Sequence, residues 1–380
     1  MAKLGEVCDI LNGYAFKSNQ YTTSGVRIIR ISNVQKGYIE DKSPVYYPCD
    51  DENVKKYELK QNDLLISLTG NVGRTALLEE KFLPAALNQR VSCVRLKEPD
   101  KVLKTYLFHL LNSDYFEQQC MKAAEGVAQK NLSPKWLFEY KIPIYSIERQ
   151  KEISNTLDKI DLLIILRKQQ LAKLNELVKA RFVEMFDAIS PKKCASKIGE
   201  CAEVLGGYAF KSDCFSNQGV PVVRIGNIND GRIDIDYNTC YAEEFWNKNP
   251  RFQARKYDIL MAMSGATTGK VGIYKSDERL LINQRVACIR ARDDESAIFL
   301  FACLQLPWMY NLVQEASAGC AQPNISGKQI ETMPVPKPET SKVHQFAAFV
   351  ERVDQQKQTI QQSLEKLELM KKVLMQEYFG

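Results

Sequence analysis

The chain has 380 residues, 45% hydrophobic and 26% charged, with 52 basic and 46 acidic side chains; this excludes a disordered or collagen-like protein and leaves room for two or three domains. No apolar run approaches the ~20 residues of a bilayer span, and the opening MAKLGEVCDI has no basic stretch leading into an apolar core, so neither a membrane partner nor secretion is expected. The net charge of +6 is spread thinly, with +3 on residues 1–146 and −1 on residues 194–339, so any basic surface must come from local clustering.

Eleven cysteines are an odd number and no Cys-x-x-Cys pair occurs, which predicts reduced thiols in a cytoplasmic chain. Two histidines, His109 and His344, exclude a His-rich metal site.

In chain order, Leu4–Ser18 (LGEVCDILNGYAFKS) opens the sequence, and Val26–Val34 has the β-branched content of a strand. Asp63–Leu68 is a short apolar run entering a turn at Gly70, and Arg90–Leu96 alternates like a further strand. Val102–Leu111 is predicted helical, and Ser133 before Pro134 is a helix cap followed by a first-turn proline.

From Ile198 the series begins again. Ile198–Ser212 (IGECAEVLGGYAFKS) matches Leu4–Ser18 at 9 of 15 positions, at an offset of 194. Gly219–Asn227 returns Gly25–Asn33, the NQRV of Asn88–Val91 recurs at Asn283–Val286, and AQKNLS (Ala128–Ser133) recurs as AQPNIS (Ala321–Ser326). Val220–Ile228, Asp258–Met263 and Arg285–Ala291 repeat the strands, and Ala297–Leu306 repeats the helix. So long a period, far above the ~20–50 residues of solenoids and propellers, makes each copy a domain plus something more.

The addition is a long helix closing each copy. A heptad frame places Val343, Phe346, Val350, Val353, Lys357, Ile360, Leu364, Leu367, Lys371, Leu374 and Tyr378 at a and d, nine of eleven apolar. The same frame in the first copy holds Ile153, Leu157, Ile160, Ile164, Leu171, Leu174, Val178 and Met185. Helices of ~40 residues are ~60 Å long and need partners for their stripes. The predicted seam comprises Leu157, Ile160, Ile164, Leu171 and Leu174 against Val350, Val353, Ile360, Leu364 and Leu367. The expected architecture is α+β: two tandem-repeated domains, 1–146 and 188–339, joined by two long antiparallel helices, 147–187 and 340–380, that form a coiled coil with pseudo-two-fold symmetry. The alternative for a single stripe is a helix packed on its own domain.

Catalytic patterns fail. GATTGK at 265–270 has three residues between its glycines where a phosphate-binding loop needs four, and Val271 follows in place of Ser or Thr. NPRF at 249–252 departs from the Asn-Pro-Pro-aromatic loop of amino-methyltransferases at Arg251 and has no counterpart in the first copy. No Ser-His-acid set can be assembled twice.

What remains suits nucleic acid. Lys17 and Ser18, with Lys211 and Ser212, can neutralise and hydrogen-bond phosphates, or belong to a turn whose aromatics Tyr14, Phe16, Tyr208 and Phe210 plug the core. Arg30 and Arg224 close the GVRIIR and GVPVVR stretches. Asn71 and Arg74, with Thr267 and Lys270, lie in or just beyond glycine turns that can approach a backbone closely, or in ordinary hairpins. Asn88, Gln89 and Arg90, with Asn283, Gln284 and Arg285, carry side chains suited to bidentate base contacts, or form an amide network. If the copies read different words, base readers belong where the copies diverge, at Tyr38–Lys60 against Arg232–Lys256 and at Glu98–Glu125 against Asp293–Glu315.

The paired LGEV…GYAFKS and IGEC…GYAFKS openings, the DLLISLTG turn at 63–70, the NQRV strands and the two closing helices resemble the specificity subunit of a type I restriction-modification system, along essentially the whole chain. The resemblance implies a non-catalytic subunit with two target recognition domains and a helix pair acting as ruler. It implies double-stranded DNA and two modification subunits as partners, and it allows restriction and translocase subunits. It implies no cofactor on this chain, S-adenosylmethionine being carried by the modification subunits. A free-standing methyltransferase, a coiled-coil protein-interaction adaptor and a specificity subunit of a related modification system are the competing readings.

Overall fold

The computed structural model describes residues 1–124, 131–229, 231–318, 323–337 and 339–380. Domain 1 is built on seven strands: β1 (Cys8–Asn12), β2 (Val26–Ile29), β3 (Tyr46–Tyr47), β4 (Leu64–Ser67), β5 (Thr75–Leu77), β6 (Ala85–Leu87) and β7 (Val91–Leu96). An antiparallel sheet runs β1-β7-β4-β5, and a smaller sheet runs β3-β2-β6 with β2 and β6 parallel. Helices α1 (Lys104–Leu111), α2 (Asp114–Ala123) and α3 (Pro134–Glu139) follow, and then α4 (Ile147–Phe186), continuous for 40 residues.

Domain 2 repeats the order with β8 (Ala202–Gly206), β9 (Val220–Val223), β10 (Cys240–Tyr241), β11 (Ile259–Ala262), β12 (Val271–Ile273), β13 (Leu281–Ile282) and β14 (Val286–Ala291). Its sheets are β8-β14-β11-β12 and β10-β9-β13, the latter again with one parallel pair. Helices α5 (Asp294–Leu304), α6 (Pro307–Ser317), α7 (Gly327–Glu331) and α8 (Thr340–Phe379) complete the chain. Each copy is stitched shut before its long helix: Ala2–Lys3 pairs with Lys141–Ile142, and Ser196–Lys197 with Pro334–Val335.

The central strands are apolar on both faces because both faces are covered. Side chains alternate across a strand, so Leu64 and Ile66 of β4 enter the core under the helices while Leu65 enters the core beneath the smaller sheet. In β11, Ile259 and Met261 face one way and Leu260 and Ala262 the other. An ion pair between a half-buried arginine and a buried aspartate pins the same corner in each copy. Arg95 Nε and Nη2 donate to Asp63 Oδ1 and Oδ2 at 2.8 and 2.6 Å, and Arg290 makes the same bonds to Asp258 at 2.9 and 2.6 Å.

Two compact units emerge, each taking half of each long helix. One comprises Met1–Lys168 with Gln362–Gly380, the other Gln169–Gln361. Within the first, Ile153 and Leu157 of α4 share a core with Met375 and Phe379 of α8, and Lys168 lies 3.0 Å from Glu368. Within the second, Phe182 of α4 packs on Phe346 of α8 with ring centroids 5.3 Å apart. In each unit the start of one helix lies against the end of the other, so the pair is antiparallel. Of the predicted seam, Leu157, Ile160, Ile164, Val350, Val353 and Leu364 are buried; Leu171, Leu174, Ile360 and Leu367 are half-buried.

Several boundaries differ from expectation. The strands predicted over Val26–Val34 and Val220–Ile228 stop at Ile29 and Val223, because Asn33 and Asn227 fold back and accept the backbone N–H of Arg30 and Arg224, each at 2.8 Å. This closes a short 3₁₀ turn. The helix predicted from Val102 starts at Lys104. The one predicted over Ala297–Leu306 begins at Asp294, capped by Asp293, and ends at Leu304. Ser133 caps α3 ahead of Pro134 as expected. His344 stands off the seam, exposed, with Nδ1 2.8 Å from Glu295. The ten described cysteines are free. Among the described residues no single helix is long and apolar enough to cross a membrane.

Candidate nucleic-acid interface

The repeated motifs, scattered along the sequence, meet at one rim in each domain. In domain 1 the backbone N–H of Asn88 donates to Ile29 O, next to Arg30, and Gln89 N donates to Tyr14 O at 2.9 Å. Leu68 N donates to Arg90 O at 3.0 Å, and Leu132 N donates to Leu68 O at 2.8 Å. Domain 2 repeats the four bonds: Asn283 N to Val223 O, Gln284 N to Tyr208 O, Met263 N to Arg285 O and Ile325 N to Met263 O, at 2.8–3.1 Å. The GYAFKS segment, the end of the GV(R/P) strand, the glycine turn and the NQR turn are thus a single backbone assembly, built twice.

Glycine is required where these pieces cross. A Cβ on Gly13 would lie 2.2 Å from Asn88 O, and one on Gly207 the same 2.2 Å from Asn283 O, far inside contact distance. The turns 70–73 and 265–269 need left-handed backbone at Gly73 (φ +86°) and Gly269 (φ +84°). They also press on α2 and α6, where a Cβ would meet Cys120 and Val313.

Side chains on the rim divide into free and tethered. Lys17, Ser18, Gln89, Arg90, Lys211, Gln284, Arg285 and Lys270 are exposed. Ser212 is exposed and donates to Asp213 at 3.1 Å. The phenylalanines of the same segment plug the core, with Phe16 against Tyr47 at 4.9 Å and Phe210 against Tyr241 at 4.8 Å. In both turns the phenylalanine points inward and the lysine outward, while Tyr14 is half-buried and Tyr208 exposed. Asn88 and Asn283 do not build a buried network. Each accepts the N–H of the arginine two residues on, at 3.3 Å, and so shapes the turn that presents Gln89–Arg90 or Gln284–Arg285.

The arginines of the strand ends are tethered, Arg30 half-buried and Arg224 exposed. Arg30 donates to Ser43 O at 2.7 Å, and Arg224 donates to Thr239 Oγ1 at 3.1 Å with Asp236 3.6 Å away. Arg74 donates to Gln35 Oε1, and with its amide reoriented Asn71 accepts from the same guanidinium at 3.2–3.3 Å. The hydroxyls of Ser264 and Thr267 are buried in the second glycine turn, with no hydrogen-bond partner among the described residues. Sequence reasoning missed Gln35, Ser43, Thr239 and Asp236, which orient these arginines from segments that differ between the copies. It also left out Asn131 and Asn324, which bridge to Thr69 and Ser264; the repeated AQ-x-N-x-S was the available signal, although residues 128–130, 321 and 322 of that repeat, like Glu125, lie outside the described residues.

Of the divergent segments, Tyr38–Lys60 and Arg232–Lys256 reach the rim through Ser43 and Thr239. The described part of Glu98–Glu125 is mainly α1 and α2, whose buried faces form core.

The family model of the type I restriction modification DNA specificity domain matches the chain twice, over residues 1–176 and 192–369. The chain belongs to this family. The type I restriction enzyme EcoBI specificity subunit of Escherichia coli is 25% identical over 383 residues, covering 92% of this chain and 78% of that protein. The MjaVIII specificity subunit of Methanocaldococcus jannaschii is 32% identical over 186 residues, covering 47% of this chain and 43% of that protein. The crystal structure of a type I restriction-modification S subunit from M. genitalium superposes with a TM-score of 0.58 at 15% identity, covering 100% of this chain and 95% of that one, and so has the same fold. The resemblance carried by GYAFKS, NQRV and the closing helices is thereby established. For this type I specificity chain the twice-built rim follows the doubled match, one rim per specificity domain.

Proposed function

We propose that this chain is the non-catalytic DNA sequence-specificity subunit of a type I restriction-modification complex, each domain reading one half of a split target in double-stranded DNA. The observation that carries this is the twice-built rim: the same four backbone bonds present the exposed Gln89–Arg90 and Gln284–Arg285 pairs beside Lys17 and Lys211. Arginine and lysine next to amides suit phosphate and base edges together. Residues identical in the two rims would hold phosphates, and the words would be set by the divergent loops behind Arg30 and Arg224. The helix pair would space the domains and dock two modification subunits carrying S-adenosylmethionine, with restriction and translocase subunits joining them in the cytoplasm.

Methylome sequencing of the host with and without this gene tests the reading. The expected result is loss of one motif made of two short words separated by unread bases. Retention of every methylated motif refutes it. Adding four residues, about one turn, to both helices should lengthen the gap and leave each word intact.

A further inference from the structure

Residues 194–339 carry a net charge of −1, yet within the second compact unit a cleft of about 1220 Å³ is rimmed by five cations. Lys179 and Lys357 come from α4 and α8; Arg232, Lys270 and Lys275 come from the domain. Among the described residues one carboxylate, Asp354, lines the same space, bonded to Lys275 and 3.5 Å from Lys357. Arg232 lies 3.7 Å from Asp234. Lys179 and Lys270 have no ion pair among the described residues. Below this rim the apolar residues Val178, Ile233, Ile273, Phe301 and Val350 are continuous with the cores on either side, interspersed with Asn175, Ser276, Gln305 and Gln361.

In domain 1 the corresponding place is bridged. The turn at Gly73 rests on Glu117 and Cys120, and Glu117 together with Asp114 holds Lys36 Nζ at 2.7 and 2.6 Å. In domain 2 the turn at Gly269 rests on Val313 and Gln314, and exposed Tyr310 one helical turn earlier lines the cleft. Pro307 and Tyr310 stand where domain 1 has Asp114 and Glu117, so that bridge is not made among the described residues of domain 2.

An apolar floor under a basic rim selects an occupant that is both apolar and acidic. A DNA duplex would meet the rim with one backbone and leave the floor wet. A helix of ~10 Å diameter rising ~1.5 Å per residue fills about 120 Å³ per residue, so the cleft holds about ten residues, nearly three turns. We infer that this cleft seats an acidic amphipathic helix of a partner protein, its apolar stripe on Phe301, Ile273 and Val350 and its carboxylates facing Lys179, Arg232 and Lys275. Charge complementarity at the rim sets orientation and association rate, and the floor supplies the hold. The inference rests on the proposed function for the identity of the partner, a modification subunit.

The test uses the full chain assembled with the modification subunit encoded beside it. Hydrogen exchange of the chain alone and of the complex should show new protection over residues 231–235, 271–276 and 298–305. The double variant Lys179→Glu, Lys275→Glu should weaken assembly at least tenfold, and Lys179→Gln, Lys275→Gln by less, with thermal unfolding of the free chain confirming that both fold. A complex that forms with the cleft unprotected, or glutamate variants that assemble normally, overturns the inference while the proposed function stands. Protection produced by duplex DNA alone, with the glutamate variants losing DNA affinity and keeping assembly, also overturns it and assigns the cleft to a nucleic-acid backbone. If the wild-type chain forms no complex, the proposed function fails first and this inference with it.

Discussion

Where domain 1 meets its stretch of the helix pair, the apolar core around Leu157 and Phe379 is reinforced by buried polar contacts. Gln150, fully buried near the start of α4, accepts from Leu103 N at 2.9 Å and donates to Lys101 O and Tyr145 O. About two turns further along α4, Asp158 contacts buried His109 at 2.8 Å. Domain 2 has Val343 and Ala302 at the matching positions, both buried, and fastens instead through Phe182, Phe186, Phe299 and Phe346, whose rings lie 4.8–5.9 Å apart. The rims, by contrast, are the same. After duplication the backbone assembly has been kept, while the attachments to the helices have gone separate ways.

The largest expected effect tests whether the two fastenings are independent. Phe182 is completely buried and Phe379 nearly so, and truncating such a ring costs about 3–5 kcal/mol. Phe182→Ala should lower exchange protection in residues 169–361, and Phe379→Ala in residues 1–168 with 362–380. Equal loss throughout the chain in either variant would mean that the units unfold as one.

Next come the ion pairs that do match. Removing one partner of a buried pair costs about 3 kcal/mol, so Asp63→Asn and Asp258→Asn should destabilise their own units by similar amounts. A difference above about 1.5 kcal/mol, half that cost, would show that the two sheets are not equivalent despite their common geometry.

How much of this is legible in the sequence follows from the same contrast. The duplication, the α+β class, the strand pair at Asp63–Leu68 and Asp258–Met263 and the helix seam are written in residue identity and period, because burial dictates apolar residues at fixed spacing. The strand ends at Ile29 and Val223 are not, since the apolar pattern runs on through IRISN and VRIGN while an Asn side chain ends the ladder. The rim could be guessed residue by residue from the repeats. Its convergence could not, because it depends on backbone bonds between segments up to about 75 residues apart. Nor could periodicity say that the end of α4 completes the core of domain 2.

The buried histidine makes the units differ in acid. Burial pushes the His109 imidazole below its ordinary 6.5, outweighing the opposing bond to Asp158. The folded state therefore holds it neutral while the unfolded chain takes up a proton at 6.5. This contribution to stability is complete above pH 6.5 and is lost as pH falls from there toward the depressed folded value. Unit 1 should lose stability over that interval relative to His109→Gln, whereas the same comparison read in unit 2, where Ala302 stands, should be flat. A histidine-dependent acid loss appearing equally in unit 2 would dissolve the distinction.

The smallest effect concerns the residues the halves share. If Arg90 and Arg285 each neutralise a phosphate, removing one releases one fewer counterion, and the slope of log K against log salt should shrink by about 0.9. Near 0.15 M salt that corresponds to about a fivefold loss of affinity. Because the NQR turn is the same in both domains, Arg90→Ala and Arg285→Ala should weaken all targets uniformly and leave both words unchanged. If either instead relaxed one base of one word, that arginine would be reading a base edge, and identity between the copies would mean a base common to the two words. Measuring binding of the assembled complex to a panel of single-base target variants at two salt concentrations separates these outcomes, since a phosphate contact moves the slope and a base contact moves the ranking.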